Sequence, residues 1–363
     1  MKYLITGGGT GGHIYPALAI AGEIEKQDRE AEILYVGTEK GLESKLVPRA
    51  GYKFKTVRVK SLPRKINKDF FISIKELLLG IHDSKKIIKD FDPDIIIGTG
   101  GYVCGPVVFL GALKKYRTII HEQNAYPGIT NKILSRFVDK VLITFKEAEK
   151  HFPKAKEVVL TGNPVREEIL NIDRDRAYEK LAIDENKKLI LSFGGSGGQK
   201  SLNTSLLEII PRLSEDIVLM HITGERLYED FLAELEERGI EAGDNIRILP
   251  YLYDMPEALN IADLVITSAG AITLAEISAI GAASILIPKS YTAENHQEYN
   301  ARSFSDSGAA ELIYERDLEA DLLLGTIDKL INNDERLEEM RSNSLKIGKK
   351  DATSKIFEEI SQL

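Results

Sequence analysis

The sequence has little that could cross-link it or send it out of the cell. Its 363 residues include one cysteine, Cys104, and no tryptophan. A single cysteine excludes an internal disulfide framework and a zinc site built on several cysteines, and it fits a reducing compartment. The first residues give only a short apolar run before a series of glycines, so we expect no signal peptide. We therefore expect a cytosolic chain.

Long hydrophobic runs are missing too, with one exception. Residues 95–113 carry no charge over 19 positions, which is long enough for a membrane-spanning helix. Glycines and a proline interrupt this run, and in lipid they would leave backbone groups without hydrogen bonds. We predict a buried parallel strand, a glycine loop and a buried helix here instead.

Charge is unevenly shared between the two halves of the chain. The net charge is −8, from 48 Lys and Arg against 56 Asp and Glu. Residues 1–163 hold 27 basic and 18 acidic side chains, whereas the remaining residues hold 21 and 38. This asymmetry predicts that only the N-terminal half faces an anionic partner.

One basic segment, residues 44–68, stands out within that half because it has nine cations and no acid. The cations are Lys45, Arg49, Lys53, Lys55, Arg58, Lys60, Arg64, Lys65 and Lys68. Apolar residues follow at once: Phe70, Phe71, Ile72, Ile74, Leu77, Leu78 and Leu79. This order is typical of a peripheral protein on an anionic membrane. The alternative is a solvated strand edge followed by an ordinary core helix. No nucleic-acid-binding motif accompanies the cations, so we expect no nucleic acid partner.

Short β-rich runs alternate with helical stretches throughout, which predicts an α/β protein with parallel sheets wrapped by helices. The pattern restarts after residue 185, again with a strand and a glycine loop, so we predict two doubly wound domains. We place them at 1–163 and 164–350, with a hinge at Asn163-Pro164. We expect a C-terminal helix, 351–363, to pack back on the first domain.

Taken singly, the glycine motifs are weak. Gly7-x-Gly9-x-x-Gly12 fits a dinucleotide fingerprint, but no acid ends the second strand, as a nicotinamide enzyme would need. Residues 195–201 lack the glycine that precedes the lysine of a P-loop. The acids Asp92 and Asp94 precede a strand and make no convincing metal site. We expect neither a metal nor a cofactor.

Seven blocks in a fixed order are far more specific. They are GGGTGGHIYPALAIA, GTGGYVCGP, HEQNAYPGITNK, TGNPVR, FGGSGG, SAGAITLAEI and ENHQEYNA. Together they resemble the MurG family of GT-B glycosyltransferases over essentially the whole chain. The resemblance implies two Rossmann-like domains facing a cleft, with lipid acceptor held by the first domain and nucleotide sugar by the second.

The resemblance also implies a reaction, partners and a location. N-acetylglucosamine passes from UDP-GlcNAc to the muramyl 4-hydroxyl of lipid I, with inversion, and forms lipid II for peptidoglycan synthesis. The partners would be UDP-GlcNAc, lipid I and an anionic membrane surface at the cytoplasmic face of the cell membrane, where the protein would be peripheral. Other cell-wall synthesis proteins are candidate partners, in keeping with a role in cell shape and division.

The site residues follow from the same resemblance. His13 is the candidate general base, and Glu122 is its rival. The predicted donor-binding residues are Thr10, Gly11, Gly12, Asn124, Arg166, Ser196, Tyr251, Leu252, Ala271, Ile272, Thr273, Glu276 and Gln297. The predicted acceptor-binding residues are Gly9, Gly100, Gly101, Tyr102 and His121. Glycine loops and helix N-termini would stabilise the departing diphosphate without a metal.

Two alternatives remain open at this point. Thr273-Leu274-Ala275-Glu276 reads as a capping box, which alone would explain the glutamate, whereas the family uses this position to bind the ribose hydroxyls. For the whole chain, the alternatives are a GT-B glycolipid synthase, a nucleotide-sugar epimerase, or a nucleotide-sugar-binding module without turnover.

Overall fold

The computed structural model describes residues 1–61, 68–195 and 197–363, without the side chains of Lys68 and Ala293. This part of the chain forms two compact units. Unit 1 comprises Met1–Pro164 and Asp351–Leu363, and unit 2 comprises Val165–Lys350.

Strands and helices alternate along both units. The strands are β1 (Lys2–Thr6), β2 (Glu32–Gly37), β3 (Lys53–Thr56), β4 (Ile95–Gly98), β5 (Arg117–Glu122), β6 (Lys140–Ile143), β7 (Val158–Leu160), β8 (Lys188–Phe193), β9 (Ile217–Ile222), β10 (Ile246–Leu249), β11 (Leu264–Thr267), β12 (Ser284–Leu286) and β13 (Ala310–Leu312). The α-helices are α1 (Gly11–Gln27), α2 (Glu43–Arg49), α3 (Lys68–Phe91), α4 (Cys104–Leu113), α5 (Ile129–Leu134), α6 (Glu167–Leu170), α7 (Arg174–Leu181), α8 (Lys200–Ile209), α9 (Tyr228–Glu237), α10 (Met255–Ile261), α11 (Ala271–Ile280), α12 (His296–Asp306), α13 (Ala320–Ile331), α14 (Asp334–Ile347) and α15 (Ala352–Ser361). Short 3₁₀ turns cover Lys146–His151, Ile210–Arg212, Ala293–Asn295 and Glu315–Asp317.

The sheet of unit 1 has the order β3-β2-β1-β4-β5-β6-β7, with every pair parallel. Both faces are covered, because one apolar cluster contains Leu4 and Ile96 and a second contains Ile5 and Ile97, their neighbours in sequence. Burial on both faces explains why these strands are continuously apolar rather than alternating.

The sheet of unit 2 has the order β10-β9-β8-β11-β12-β13, again with every pair parallel. Each sheet reverses its strand order once, between β1 and β4 in unit 1 and between β8 and β11 in unit 2. The predicted fold class, two doubly wound Rossmann-like sheets, is therefore confirmed.

The last helix belongs to unit 1. Ile356 and Ile360 of α15 are fully buried in the core that α1 also lines. Lys140 on β6 is nearly buried, and its Nζ lies 2.6 Å from Glu359 Oε2 on α15. An apolar face and a largely buried ion pair thus hold α15, the C-terminal helix, on the sheet of unit 1.

The uncharged run 95–113 forms the predicted strand, loop and helix. β4 is buried at all four residues, and α4 begins at Cys104 after the glycine loop. In the described ranges, no helix combines the length and apolarity that crossing a bilayer would require.

The differences from the sequence prediction lie at the ends of elements and the edges of sheets. The sequence pattern predicts a helix over Ala17–Lys26, whereas α1 begins at Gly11, because the glycines at the end of the loop already form its first turn. The strands that the sequence pattern missed, β3 and β13, are both edge strands, and β3 carries two lysines among its four residues. An edge strand is only partly buried, so it need not show the apolar run of a central strand.

Candidate active site

In unit 1 the candidate site lies where the strand order reverses. β1 pairs with β2 on one side and β4 on the other, so the loops that leave β1 and β4 separate and open a crevice. The loop after β1 leads into α1, with Thr10 at the N-cap and Gly11 and Gly12 opening the helix. First-turn N–H groups have no partner within their helix, so this terminus can bind an anion or a polar ligand.

His13, the third residue of α1, is held from two sides. Thr99 Oγ1 donates to the His13 carbonyl oxygen at 2.7 Å, and the Thr99 carbonyl oxygen lies 3.0 Å from His13 Nδ1. Gln123 Oε1 also lies 3.0 Å from Nδ1. Because both neighbours of Nδ1 are acceptors, Nδ1 carries the proton. In the described part of the chain no group bonds His13 Nε2, so this nitrogen keeps the lone pair of the neutral ring.

The second glycine loop leaves room for this imidazole. Gly100 and Gly101 have φ angles of 101° and 78°, which side-chain-bearing residues rarely adopt. A Cβ at Gly100 would lie 2.9 Å from His13 Nδ1, and one at Gly101 would lie 2.2 Å from the Gly8 carbonyl oxygen. The absence of side chains at Gly100 and Gly101 thus leaves space for the His13 ring between the loops. The contact of these two glycines with an acceptor stays a prediction.

A buried carboxylate that the sequence analysis missed braces the first glycine loop. Glu43 is fully buried, and its Oε1 accepts hydrogen bonds from Thr38 N at 3.0 Å and Thr38 Oγ1 at 2.6 Å. Glu43 Oε2 accepts from Gly9 N at 3.1 Å. The Gly9 N–H is therefore in use, which limits the predicted acceptor contact of Gly9 to its carbonyl group.

His121 lies in the interior of unit 1, and its contact with the acceptor stays a prediction. The side chain is fully buried, with Nε2 2.8 Å from the Gly162 carbonyl oxygen and Nδ1 3.0 Å from Gln123 Nε2. Burial lowers the pKa of His121 to about 4, so the ring is neutral near pH 7. Both ring nitrogens are bonded within unit 1, and no face of the ring reaches solvent.

Glu122 is also buried, and this placement weighs against its role as rival base. Its Oε1 accepts from Asn124 N at 3.0 Å and Asn124 Nδ2 at 3.2 Å. Its Oε2 accepts from Gly128 N at 3.2 Å and Asn131 Nδ2 at 2.8 Å. Burial raises the pKa of the carboxyl, while these donors oppose the rise by stabilising the charged form. The carboxylate holds the turn before α5 and has no free lone pair directed at a substrate.

Tyr102 in the second loop borders the described cavity of unit 1. This cavity measures about 330 Å³ and is lined by Lys60, Ser61, Asp69, Ile72, Ser73 and Tyr102. Burial raises the pKa of the Tyr102 phenol, so the hydroxyl stays protonated near pH 7. Tyr102 can therefore donate a hydrogen bond into the cavity, which agrees with its predicted acceptor contact.

In unit 2 the corresponding crevice lies between the ends of β8 and β11. The loop Gly194–Gly198 leads from β8 into α8, and a short connection leads from β11 into α11. Ala271, Ile272 and Thr273 form the first turn of α11, so their predicted donor contacts would come from a helix N-terminus. Ser196, which the sequence analysis places in the donor loop, lies outside the described residues.

Partly buried polar contacts that the sequence analysis missed fix this donor loop. Lys289 Nζ donates to the Gly198 carbonyl oxygen at 2.8 Å, and the Lys289 N–H donates to Gln297 Oε1 at 3.0 Å. Glu315 accepts from Gln199 Nε2 at 3.0 Å and from Ser201 Oγ at 2.6 Å. The predicted sugar contact Gln297 is thus held beside the glycine loop.

Glu276 is not part of a capping box. α11 begins at Ala271 with Gly270 as its N-cap, so Thr273 lies inside the first turn and cannot cap the helix. Glu276 is the sixth residue of α11 and is buried, and its Oε1 accepts a hydrogen bond from Arg166 Nε at 2.6 Å. Burial raises the pKa of Glu276, and Arg166 opposes that rise. Two predicted donor-binding residues are thus brought together within one unit.

The resemblance to the MurG family also predicts that the Tyr251-Leu252 segment binds uracil through its backbone, and this segment follows β10. Tyr251 is half-exposed and packs edge-on against Tyr253 with ring centroids 4.9 Å apart, while Leu252 is buried. A contact between the backbone of this segment and uracil stays a prediction.

The outer surface of unit 1 carries large apolar side chains on three neighbouring helices, α3, α4 and α5. Phe71 on α3 is 67% exposed, Leu78 is 64% exposed, and Ile129 at the start of α5 is 66% exposed. Leu113, Ile133 and Phe137 are exposed as well. The apolar side chains of residues 70–79 are divided between two environments, because Leu77 packs against the core while Phe71 and Leu78 are exposed. Across the described ranges, no cluster of three or more His, Cys, Asp or Glu side chains could hold a metal ion.

Comparison with known proteins agrees with this arrangement. Two parallel-sheet units with a glycine loop at each switch point form a GT-B fold, and the family matches identify the chain as a glycosyltransferase. The sequence matches the Glycosyltransferase family 28 N-terminal domain over residues 3–143 and the Glycosyltransferase family 28 C-terminal domain over residues 189–356. The crystal structure of Acinetobacter baumannii MurG is similar with a TM-score of 0.81 and 28% identity, covering 100% of this chain and 99% of that one.

Curated relatives are closer in sequence. A relative from Thermoanaerobacter sp. (strain X514), named UDP-N-acetylglucosamine--N-acetylmuramyl-(pentapeptide) pyrophosphoryl-undecaprenol N-acetylglucosamine transferase, is 46% identical over 100% of both chains. A relative of the same name from Clostridioides difficile (strain 630) is 47% identical over 99% of this chain and 88% of its own. The chain therefore belongs to the MurG group of glycosyltransferase family 28, as the motifs predicted. A putative UDP-N-acetylglucosamine 2-epimerase from Listeria monocytogenes, 15% identical with a TM-score of 0.71, shares the fold alone.

The interior histidines predict how stability depends on pH. His221 on β9 is fully buried, like His121, and burial lowers its pKa to about 4 as well. An unfolded histidine has a pKa of about 6.5, so between this pH and about 4 the unfolded state binds more protons than the folded state. The free energy of unfolding is therefore fully present above about pH 6.5 and decreases as the pH falls toward 4. Between about pH 6.5 and 4 the free energy of unfolding of His221→Asn, measured by urea titration, should therefore fall by about 3 kcal/mol less than that of the wild type. His82→Asn on the surface of α3 is the control. An unchanged pH dependence in His221→Asn would contradict the prediction.

Proposed function

We propose that this protein transfers N-acetylglucosamine from UDP-GlcNAc to the muramyl 4-hydroxyl of lipid I, with inversion, and so forms lipid II. Full-length relatives at 44–47% identity carry the name of this transferase. The structural observation that carries the chemistry is His13, whose ring is fixed with Nδ1 protonated and Nε2 open at the switch point of unit 1.

In the proposed reaction the acceptor hydroxyl loses its proton to His13 Nε2 as its oxygen attacks the anomeric carbon. The bond from that carbon to the UDP oxygen breaks, and UDP leaves with the bonding electrons. Arg166, the donor glycine loop and the N-termini of α8 and α11 would stabilise the developing diphosphate charge. Asn124 and Gln297 would contact the transferred sugar. The Tyr102 cavity is the proposed acceptor site.

Turnover tests this function directly. Purified protein given radiolabelled UDP-GlcNAc and a lipid I analogue should form the labelled disaccharide lipid. His13→Ala should lower kcat by about 10²- to 10⁴-fold with UDP affinity unchanged, because it removes the base and no donor contact. His82→Ala is the matched control. Transfer to diacylglycerol instead, epimerised donor without acceptor, or UDP-GlcNAc binding without turnover would each replace the proposal by one of the alternatives.

Glu276 is the proposed ligand of the ribose hydroxyls. The small number of hydrogen bonds that its carboxylate accepts from protein groups supports this role. Three other carboxylates, the buried Glu43 and Glu122 and the partly exposed Glu315, accept three or four hydrogen bonds each from protein groups. Among the described residues, Glu276 accepts a hydrogen bond only from Arg166. A buried carboxylate with lone pairs to spare is suited to accept bonds from a ligand's hydroxyl groups.

We expect Glu276→Ala to weaken UDP binding by about 1.5–3 kcal/mol, the value of hydrogen bonds to a charged group. Binding of 2′,3′-dideoxy-UDP should be equally weak in the wild type and in Glu276→Ala, because the analogue lacks the groups that Glu276 binds. Calorimetry of the four combinations measures this coupling. Glu339→Ala, which removes another 2.6 Å ion pair of unit 2, is the control. If Glu276→Ala weakens both ligands equally, Glu276 acts only through Arg166.

We also propose that unit 1 rests peripherally on the cytoplasmic face of the membrane through the exposed apolar side chains of α3, α4 and α5. Lys114, Lys115 and Arg136 are exposed on the same elements or directly after them, where they could bind anionic headgroups. Arg64 and Lys65 of the basic segment lie outside the described residues, as does the side chain of Lys68.

The double variant Phe71→Ser/Leu78→Ser should lower binding to phosphatidylglycerol vesicles by at least about tenfold, since burying each side chain is worth about 1.5–3 kcal/mol. Vesicle co-sedimentation measures this. Leu322→Ser, which removes an exposed leucine of unit 2, should bind like the wild type. Turnover on a soluble short-chain acceptor should survive. Equal binding of the double variant and the wild type would contradict the proposed contact between α3 and the membrane.

A further inference from the structure

A chain of hydrogen bonds runs from the interior of unit 1 to His13. It starts at the Gly162 carbonyl oxygen, 2.8 Å from His121 Nε2. It continues from His121 Nδ1 to Gln123 Nε2 at 3.0 Å, and from Gln123 Oε1 to His13 Nδ1 at 3.0 Å. The connected side chains are His121, Gln123 and His13, and the first two are fully buried.

The order of donors and acceptors in this chain is fixed from its buried end. A carbonyl oxygen only accepts, so His121 Nε2 carries a proton. Burial keeps the His121 ring neutral, and its Nδ1 is therefore an acceptor. This acceptor requires the amide nitrogen of Gln123, which also lies 2.9 Å from the Thr99 carbonyl oxygen. The Gln123 amide oxygen is thereby turned toward His13.

The result at His13 is a single neutral tautomer. Its Nδ1 meets Gln123 Oε1 and the Thr99 carbonyl oxygen, which can only accept a hydrogen bond, so Nδ1 must be the donor. Nε2 is then left unprotonated and open. A ring with the opposite tautomer would place a lone pair against two acceptors and would present an N–H, which cannot accept a proton, to the substrate.

We propose that Gln123 and His121 are positioning residues that hold His13 in the tautomer with an unprotonated Nε2. The importance of this tautomer rests on the proposed role of His13 as general base. The tautomer itself can be measured without any turnover, so the two claims fail separately. Among the described residues no carboxylate bonds His13, and His121 and Glu122 are titratable side chains whose charge interacts with it.

The test is ¹⁵N NMR of protein labelled at its six histidines, at about pH 8, where exposed histidines are neutral. His13→Ala assigns the His13 signals. In the wild type we expect His13 to be protonated at Nδ1 and unprotonated at Nε2. In Gln123→Met, which has a side chain of similar length without hydrogen-bonding groups, the two His13 nitrogens should shift toward an average of both tautomers. Gln27→Met, at an α1 glutamine that bonds Glu23, is the matched control.

Gln123→Glu provides a second variant that keeps the shape of the side chain. A carboxylate still accepts from His13 Nδ1, so the His13 signature should be retained. It cannot donate to His121 Nδ1, so in this variant that nitrogen should take up a proton from solvent, and the His121 ring should become an imidazolium paired with the new carboxylate, visible in the same spectrum. We expect kcat to fall at least about tenfold in Gln123→Met with little change in KM for the donor, and to be partly rescued in Gln123→Glu. The fall should stay below the roughly 10⁴-fold loss from a wrong tautomer in a serine protease triad, because the Thr99 carbonyl remains.

The outcomes separate cleanly. A wild-type His13 protonated at Nε2, or a Gln123→Met spectrum with the His13 tautomer unchanged, overturns the proposal whatever the activity. If Gln123→Met does not fold, the wild-type and Gln123→Glu spectra decide alone. If the tautomer follows the prediction while His13→Ala turns over normally, the positioning is real and the proposed base is wrong.

Discussion

Thr99 joins the two halves of the unit 1 crevice through hydrogen bonds to a single residue. Its hydroxyl holds the His13 backbone and its carbonyl holds the His13 ring, so the end of β4 and the start of α1 cannot move apart without breaking both. The glycine loops are a consequence of this closeness, since a Cβ at Gly7 would lie 2.0 Å from Thr99 Oγ1. The fold supplies a crevice at every such switch point, but this contact decides which side chain stands in it.

Buried or partly buried carboxylates hold several of the loops in place. A charged group loses its hydration when it is buried, and in this protein backbone and side-chain donors replace the lost water. Glu43 fixes the acceptor-side loop, Glu122 fixes the turn before α5, and Glu315 fixes the donor loop. Preformed loops need no ordering when a substrate binds, which favours both affinity and rate. Glu276 differs from these three because protein groups leave part of its bonding capacity unused.

The sequence predicted the fold well and the site partly, for a physical reason. Strand and helix periodicity can be read from a short stretch of sequence. Buried parallel strands such as β4 can be recognised from their apolar composition alone. The capping box at Thr273 failed because Gly270 caps the helix three residues earlier, and the sequence offers no means of choosing between two possible starts. His121 and Glu122 were expected at a ligand surface because they share a motif with Asn124. Their burial depends on Gly162, Gly128 and Asn131, whose approach only the tertiary fold creates.

The choice between the two candidate bases depends on their hydrogen-bond partners, which the sequence does not show. His13 and Glu122 are both titratable, and either could accept a proton at neutral pH if it were free. A base must offer a lone pair to the substrate, and Glu122 has its oxygens directed at four N–H donors within the protein. Proton transfer to Glu122 would therefore break hydrogen bonds that hold its own loop. His13 can accept a proton at Nε2 and keep both contacts at Nδ1, because those neighbours accept from the neutral ring and from its protonated form alike. The hydrogen-bond count, rather than the residue type, thus favours the histidine.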